Sequence, residues 1–157
     1  MRRKEYEITN TEEIKSIIRE AEVCRIALHD EPYPYIVPLN FGMEEGSPLT
    51  FYFHSAKEGK KIALIRKNPD VCFEIEGDKK VVSGKKACDW SMQYKSIIGF
   101  GTIQIVEDDA EREHGLNILM NHYSKDRAHD LDEGTLSRTC VLKLMVEEIC
   151  GKQHGVL

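Results

Sequence analysis

The chain has 157 residues, enough for one domain with a substantial core, and its apolar and charged fractions of 41% and 31% are those of an ordinary globular protein. A formal net charge of −5 argues against nucleic acid or an anionic membrane surface as a partner. No window approaches the roughly 18 consecutive apolar residues of a membrane span.

The opening stretch MRRKEYEITN carries charges with no apolar run behind them, so no signal peptide is read there and a cytoplasmic protein is expected. One domain is expected over residues 1–157. The cysteines (Cys24, Cys72, Cys88, Cys140 and Cys150) are odd in number, widely spaced and without a CxxC pair. Reduced thiols acting as small hydrophobes are expected, and no metal site.

In chain order, Ile14, Ile17, Ile18 and Ala21 repeat at helical spacing, with Asn10 and Thr11 as capping candidates and Glu12 and Glu13 in the first turn. Three short strands follow: residues 23–30, 35–43 and 49–54, separated by proline- and glycine-containing turns that suggest an antiparallel meander. A helix is expected over 56–67, opened by a capping box between Ser55 and Glu58 and stopped by Asn68-Pro69. Residues 71–76 read as a strand ending in the polar turn GDKK. The segment 81–92 has no clean period. Residues 94–107 form a long strand in which Gly99 and Gly101 permit a bulge, close strand packing or the approach of a flat ring. Leu116, Leu119, Met120 and Tyr123 mark a helix begun by Asp108 or Asp109, residues 124–138 read as loop, and 139–152 as a last long strand. Strands not regularly separated by helices exclude a doubly wound parallel sheet. The expected fold is mainly β (α+β): a small antiparallel barrel of six or seven strands with peripheral helices.

The chemistry concentrates where the third strand meets its helix, 49-LTFYFHSAKEGKKI-62. Alternation puts Leu49, Phe51 and Phe53 on one face and Thr50, Tyr52 and His54 on the other, so His54 stands at the strand's end beside the helix amides. Helix N-termini attract anions, Gly59 lets a ligand approach the backbone, and Lys60 and Lys61 put positive charge where the dipole alone disfavours it. An anion, most simply a phosphate, accounts for that arrangement. A solvated helix face accounts for it too, since lysine is a good helix former. Arg25 lies inside an apolar strand, and Pro38 and Asn40 could leave backbone groups free for a ligand edge. His114, His122 and His129 have no metal-ligand spacing and read as surface or loop residues, and Ser55 has no nucleophile-elbow context.

The ordered segments CRIAL, PYPYIVPLNFG, LTFYFHSAKEGKKI, NPDVCFEI and YKSIIGFG together resemble the FMN-binding split-barrel proteins related to pyridoxamine 5′-phosphate oxidase, in the branch that includes the 5-nitroimidazole reductases. The likeness runs over residues 22–152. It implies a split β-barrel that dimerises and holds FMN in clefts between subunits. By the same resemblance Lys60 and Lys61 match the basic pair on the flavin phosphate, His54 and Ser55 match the lining of the isoalloxazine, and Arg25 matches an arginine that reaches the cofactor. Asn40 is placed near the ring, Ser96 on a strand that approaches the flavin, and His54 near the substrate as the catalytic candidate. The arginine and histidine that bind substrate in true pyridoxamine phosphate oxidases have no clear match near the C-terminus.

The function so implied is an FMN-dependent oxidoreductase acting on a small acceptor, such as a nitroaromatic, with NAD(P)H as the plausible reductant. Two alternatives stand beside it. One is a flavin-binding protein without catalysis. The other is a haem-binding split barrel with His54 or His154 as axial ligand.

Overall fold

The computed structural model describes residues 3–124, 134 and 138–155. The side-chain oxygen of Asn10 accepts from the backbone N–H groups of Glu12 at 2.9 Å and Glu13 at 3.3 Å, and helix α1 (Thr11–Glu20) starts there. Ile14, Ile17 and Ile18 form its buried stripe. The remaining elements are β1 (Glu7–Ile8), β2 (Cys24–Leu28), β3 (Tyr35–Leu39), β4 (Phe41–Glu44), β5 (Thr50–Ser55), α2 (Lys60–Lys67), β6 (Asp70–Val82), β7 (Ser91–Val106), α3 (Asp109–Tyr123) and β8 (Cys140–His154). Helix α3 starts at Asp108, whose carboxylate accepts from the Glu111 N–H at 2.8 Å.

The strands form one antiparallel sheet in the order β3-β2-β6-β7-β8-β5-β4, with β1 added against β8. Strands β3 and β4 stand at opposite edges of that sheet, yet only Asn40 separates them in sequence. The chain itself therefore carries the sheet round into a barrel. Tyr123 fastens the seam. Its hydroxyl donates to the Glu22 carbonyl at 2.7 Å and accepts from the Phe41 N–H at 3.0 Å and the Asn40 side-chain amide at 3.3 Å.

The expected alternation in β5 holds. Phe51 and Phe53 are fully buried in the barrel, where Phe51 meets Phe41 and Phe73 edge-on at 5.4 and 5.2 Å. Such ring pairs contribute about 0.5–1.5 kcal/mol each beyond their burial. Tyr52 points the other way, into a smaller cluster with Val106, Leu116 and Val141 beneath α3.

Four details differ from the sequence reading, and one open alternative, at Gly99 and Gly101, is resolved. The strand expected at 35–43 is two strands, and with β1 the described strands number eight. The capping box does not form: Ser55 ends β5, and α2 begins only at Lys60, behind Gly59 at φ 123°, a conformation no helical residue adopts. The polar turn at 77–80 is absent, because β6 runs on to Val82 through an irregularity between Glu76 and Lys79. Gly99 and Gly101 face the interior: an added Cβ would meet the Phe73 ring at 2.2 Å and the Met145 carbonyl oxygen at 2.1 Å respectively, so they serve strand packing and not a flat ligand. Among the histidines, His122 is no plain surface residue: it donates to the Ala21 carbonyl at 2.7 Å and packs on Phe41. His114 sits 2.6 Å from Glu44. His129 and most of the loop expected at 124–138 lie outside the described residues. The five cysteines are free thiols, Cys24 and Cys140 buried and Cys88 exposed. No helix among the described residues is long and apolar enough to cross a membrane.

Candidate functional site

The end of β5, the 56–59 bend and the first turn of α2 form one corner of the molecule. His54 is exposed there, opposite Val141 of β8, and Ser55 is half-buried opposite Cys140. An added Cβ on Gly59 would meet nothing within 4 Å, so the backbone before α2 is open to a ligand.

The two lysines diverge. Lys60 places its ammonium 2.6 Å from the Asp30 carboxylate and 4.8 Å from the centre of the Tyr35 ring. That ammonium holds the Asp30 carboxyl below the usual carboxylate range. Lys61 is half-buried, makes no ion pair among the described residues, and has its pKa lowered by desolvation. A buried ammonium without a counter-charge is unfavourable unless something else supplies one.

Its surroundings point to what that is. The Cys140 thiol is pushed up by burial, and four cations oppose the shift: Lys61 first, then Arg66, Lys57 and Arg112. These charges come from the 56–59 bend, α2 and α3. Arg112 pairs with Asp109 through one terminal nitrogen, but its Nε is buried and has no hydrogen-bond partner. Buried polar atoms are nearly always satisfied, so the Arg112 Nε stands out, and the cluster of cations around Cys140 with Lys61 unpaired is a setting that favours an anion. The chemistry fits a phosphate group.

Sequence reasoning found Lys60, Lys61, His54 and Ser55 but missed Lys57, Arg66 and Arg112. Lys57 and Arg66 belong to the basic run KEGKKIALIRK, where their spacing was open to reading. Arg112 arrives from α3, and only the tertiary fold brings it in.

The other candidates stand elsewhere in the chain. Arg25 lies on the outer face of β2, bridging Glu74 at 3.1 Å and Glu76 at 3.3 Å. It lines a cleft of about 290 Å³ that also holds Glu20, Glu22 and Asp78. Burial raises the Glu74 pKa, the neighbouring Glu76 adds to the rise, and Arg25 opposes it. The Asn40 amide is engaged at the seam by the Glu22 carbonyl at 3.2 Å and by Tyr123. Ser96 is half-buried in β7, between Glu76 and Lys152 on the adjacent strands. Within one chain these three do not converge on the Lys61 corner.

Residues 10–153 match the family described as pyridoxamine 5′-phosphate oxidase. No curated protein matches the sequence. Among solved structures, a candidate 5-nitroimidazole antibiotic resistance protein from Bacteroides thetaiotaomicron is 34% identical, with 94% of this chain and 86% of that chain covered and a TM-score of 0.81. The FAD and haem binding protein from Mycobacterium smegmatis shares the fold at 19% identity, 96% and 74% coverage and a TM-score of 0.79. The flavocytochrome Anf3 from Azotobacter vinelandii does so at 16% identity, 96% and 70% coverage and a TM-score of 0.78. The fold, the extent of the match and the identity to the Bacteroides protein agree: this chain belongs to the pyridoxamine 5′-phosphate oxidase family.

Proposed function

We propose that the protein binds FMN by its phosphate at the head of α2 and, as a homodimer, passes electrons from NAD(P)H to a small acceptor of the nitroaromatic class. The observation that carries this reading is the unpaired, desolvated Lys61, which with Arg66, Lys57 and Arg112 surrounds Cys140 with positive charge. Lys61 and Arg112 would hold the phosphate, with Arg66 and Lys57 adding charge. Lys60 would contribute less, because Asp30 already neutralises it.

When bound, the flavin supplies the hydride chemistry. This chain's part is anchorage and orientation. His54 and Ser55 end the aromatic strand β5 and would meet the ring. The exposed His54 imidazole would give a hydrogen bond to the acceptor. The dimer reading is supported by the outer face of the sheet, where Ile36, Ala27, Cys72 and Phe100 form one row across β3, β2, β6 and β7. Ile36 is 60% exposed, Phe100 50% and Ile98 47%, an apolar face suited to a second copy. Arg25 and Ser96 lie on this side of the sheet and would reach the cofactor of the neighbouring subunit.

The visible spectrum of freshly purified protein, followed by FMN titration and an NADH-dependent assay with a 5-nitroimidazole, tests the proposal. Flavin bands, saturable FMN binding and loss of the nitro absorbance on turnover are expected. A Soret band, or no uptake of FMN, overturns it. Binding without turnover leaves the phosphate site in place and removes the enzyme.

A further inference from the structure

The 56–59 bend and α2 carry Lys57, Lys60, Lys61, Arg66 and Lys67, and among the described residues only Lys60 has an ion pair. Its partner, Asp30, comes from the turn between β2 and β3, far away in sequence. We propose that Asp30 is a built-in competitor of the phosphate: it occupies Lys60 and so sets how much of the charge at the head of α2 an incoming phosphate monoester can use. The inference rests on the phosphate reading above. It assigns a residue that weakens binding, where those named so far strengthen it.

Three observations carry it. The first is the make-up of the helix. Helix α2 opens on two lysines, with no acidic residue in its first turn and no side-chain cap. Positive charge at a helix N-terminus is unfavourable and negative charge there is favourable. Asp30 brings a carboxylate to that end from another element.

The second is geometry. The Lys60 ammonium lies 2.6 Å from the Asp30 carboxylate and 4.8 Å from the centre of the Tyr35 ring, so both ends of the β2–β3 turn hold it. Asp30 is itself oriented, accepting from the Glu31 N–H at 3.0 Å. Its side chain is 22% exposed and that of Lys60 is 56% exposed. The carboxylate is therefore the fixed partner, and the lysine, on its flexible stem, is the one free to turn. Because Lys60 holds the Asp30 carboxyl below the usual range, this carboxylate is ionised wherever a flavin phosphate is a dianion.

The third is the contrast between neighbours. Lys61 is half-buried and has no counter-charge among the described residues, while Lys60 already has one. A phosphate at Lys61 gains Lys60 only by taking it from Asp30, and the charge-assisted bond it breaks offsets the one it makes.

The test is a double-mutant cycle read by quenching of flavin fluorescence, with FMN and riboflavin titrated into the wild type, Asp30→Asn, Lys60→Ala and the double variant. Asp30→Asn should raise FMN affinity about 3- to 10-fold, because it releases Lys60. Lys60→Ala should cost about threefold or less in the wild type and about tenfold in the Asp30→Asn background. Riboflavin affinity should be the same in all four proteins. Asp30→Glu keeps the charge and should bind FMN as the wild type does. Asp30→Ser is a second neutral variant, and melting temperatures show whether either neutral change disturbs the turn. A merely structural role for Asp30 would lower FMN and riboflavin affinity together, along with the melting temperature, and would overturn the proposal. So would an additive cycle, or weaker FMN binding in both neutral variants. A wild type that binds FMN and riboflavin equally would remove the phosphate reading itself. A wild type that prefers FMN, loses that preference in Lys61→Ala and shows an additive cycle would remove only the role of Asp30.

Discussion

If Lys61 holds the flavin phosphate as proposed, Lys61→Ala should lower FMN affinity about 10- to 100-fold and leave riboflavin affinity nearly unchanged. The expected size follows from hydrogen bonds to charged groups, which contribute about 1.5–3 kcal/mol each, with about 1.4 kcal/mol per tenfold in affinity. The discrimination follows because the two flavins differ only in the phosphate. Lys60→Ala should lose less, since its ammonium is already spoken for by Asp30. Titrating each variant with both flavins, read by quenching of flavin fluorescence, measures this. Equal losses for FMN and riboflavin would remove the phosphate assignment. The sign of the pH dependence is also fixed. Burial lowers the Lys61 pKa in the free protein, and a bound dianion favours its charged form. FMN affinity should therefore fall on the alkaline side as the free protein loses the Lys61 proton, with proton uptake on binding in that window. Riboflavin binding should show no such slope.

Gly101→Ala should destabilise the protein more than any change at the corner just described. The new methyl would lie 2.1 Å from the Met145 carbonyl oxygen and 3.0 Å from its carbon, both backbone atoms of the adjoining long strand. Neither can swing aside as a side chain would. Strands β7 and β8 must separate at the irregularity between Phe100 and Gly101, where their register already shifts. Overpacking of this kind costs about 1–3 kcal/mol and sometimes more. For a domain of this size that lowers the melting temperature by about 3–10 °C. Gly46→Ala is the matched control, since its added Cβ meets only the Pro48 carbonyl oxygen, at an ordinary 3.4 Å. Thermal denaturation followed by circular dichroism compares the two. Equal melting temperatures for Gly101→Ala and the wild type would contradict the close approach of the two strands.

The parts of the fold that could be read from the chain are those where one face is buried and the other is not. Helix α1 shows its stripe and its Asn10 cap, and β5 shows its alternating phenylalanines. Residues 81–92 were opaque for the opposite reason. They form the outer arm of the β6–β7 hairpin, where Val81, Trp90 and Met92 are all substantially exposed. With no buried face there is no alternation to read. The break at Asn40 was hidden because β3 and β4 are continuous in sequence and differ only in which distant strand each one joins. The candidate site divides in the same way. Lys61, His54 and Ser55 lie within eight residues of one another, so a local pattern could reveal them. Arg112 contributes through the placement of α3 over β5 and β8, which no spacing in the chain encodes.

The seam at Asn40 has a consequence for how the wall can open. Its circumference is completed by covalent continuity, while β3 and β4 each keep one row of backbone groups that no neighbouring strand shares. Parting the molecule along that line breaks the side-chain contacts of Tyr123, His122 and Asn40, whereas parting it between paired strands unzips a ladder. Pro38 brings no backbone N–H to this edge strand, and a proline in an edge strand discourages a foreign strand from docking there. Helix α3, by carrying Tyr123, acts as the latch on this gap, and whatever shifts that helix also decides whether the gap stays shut.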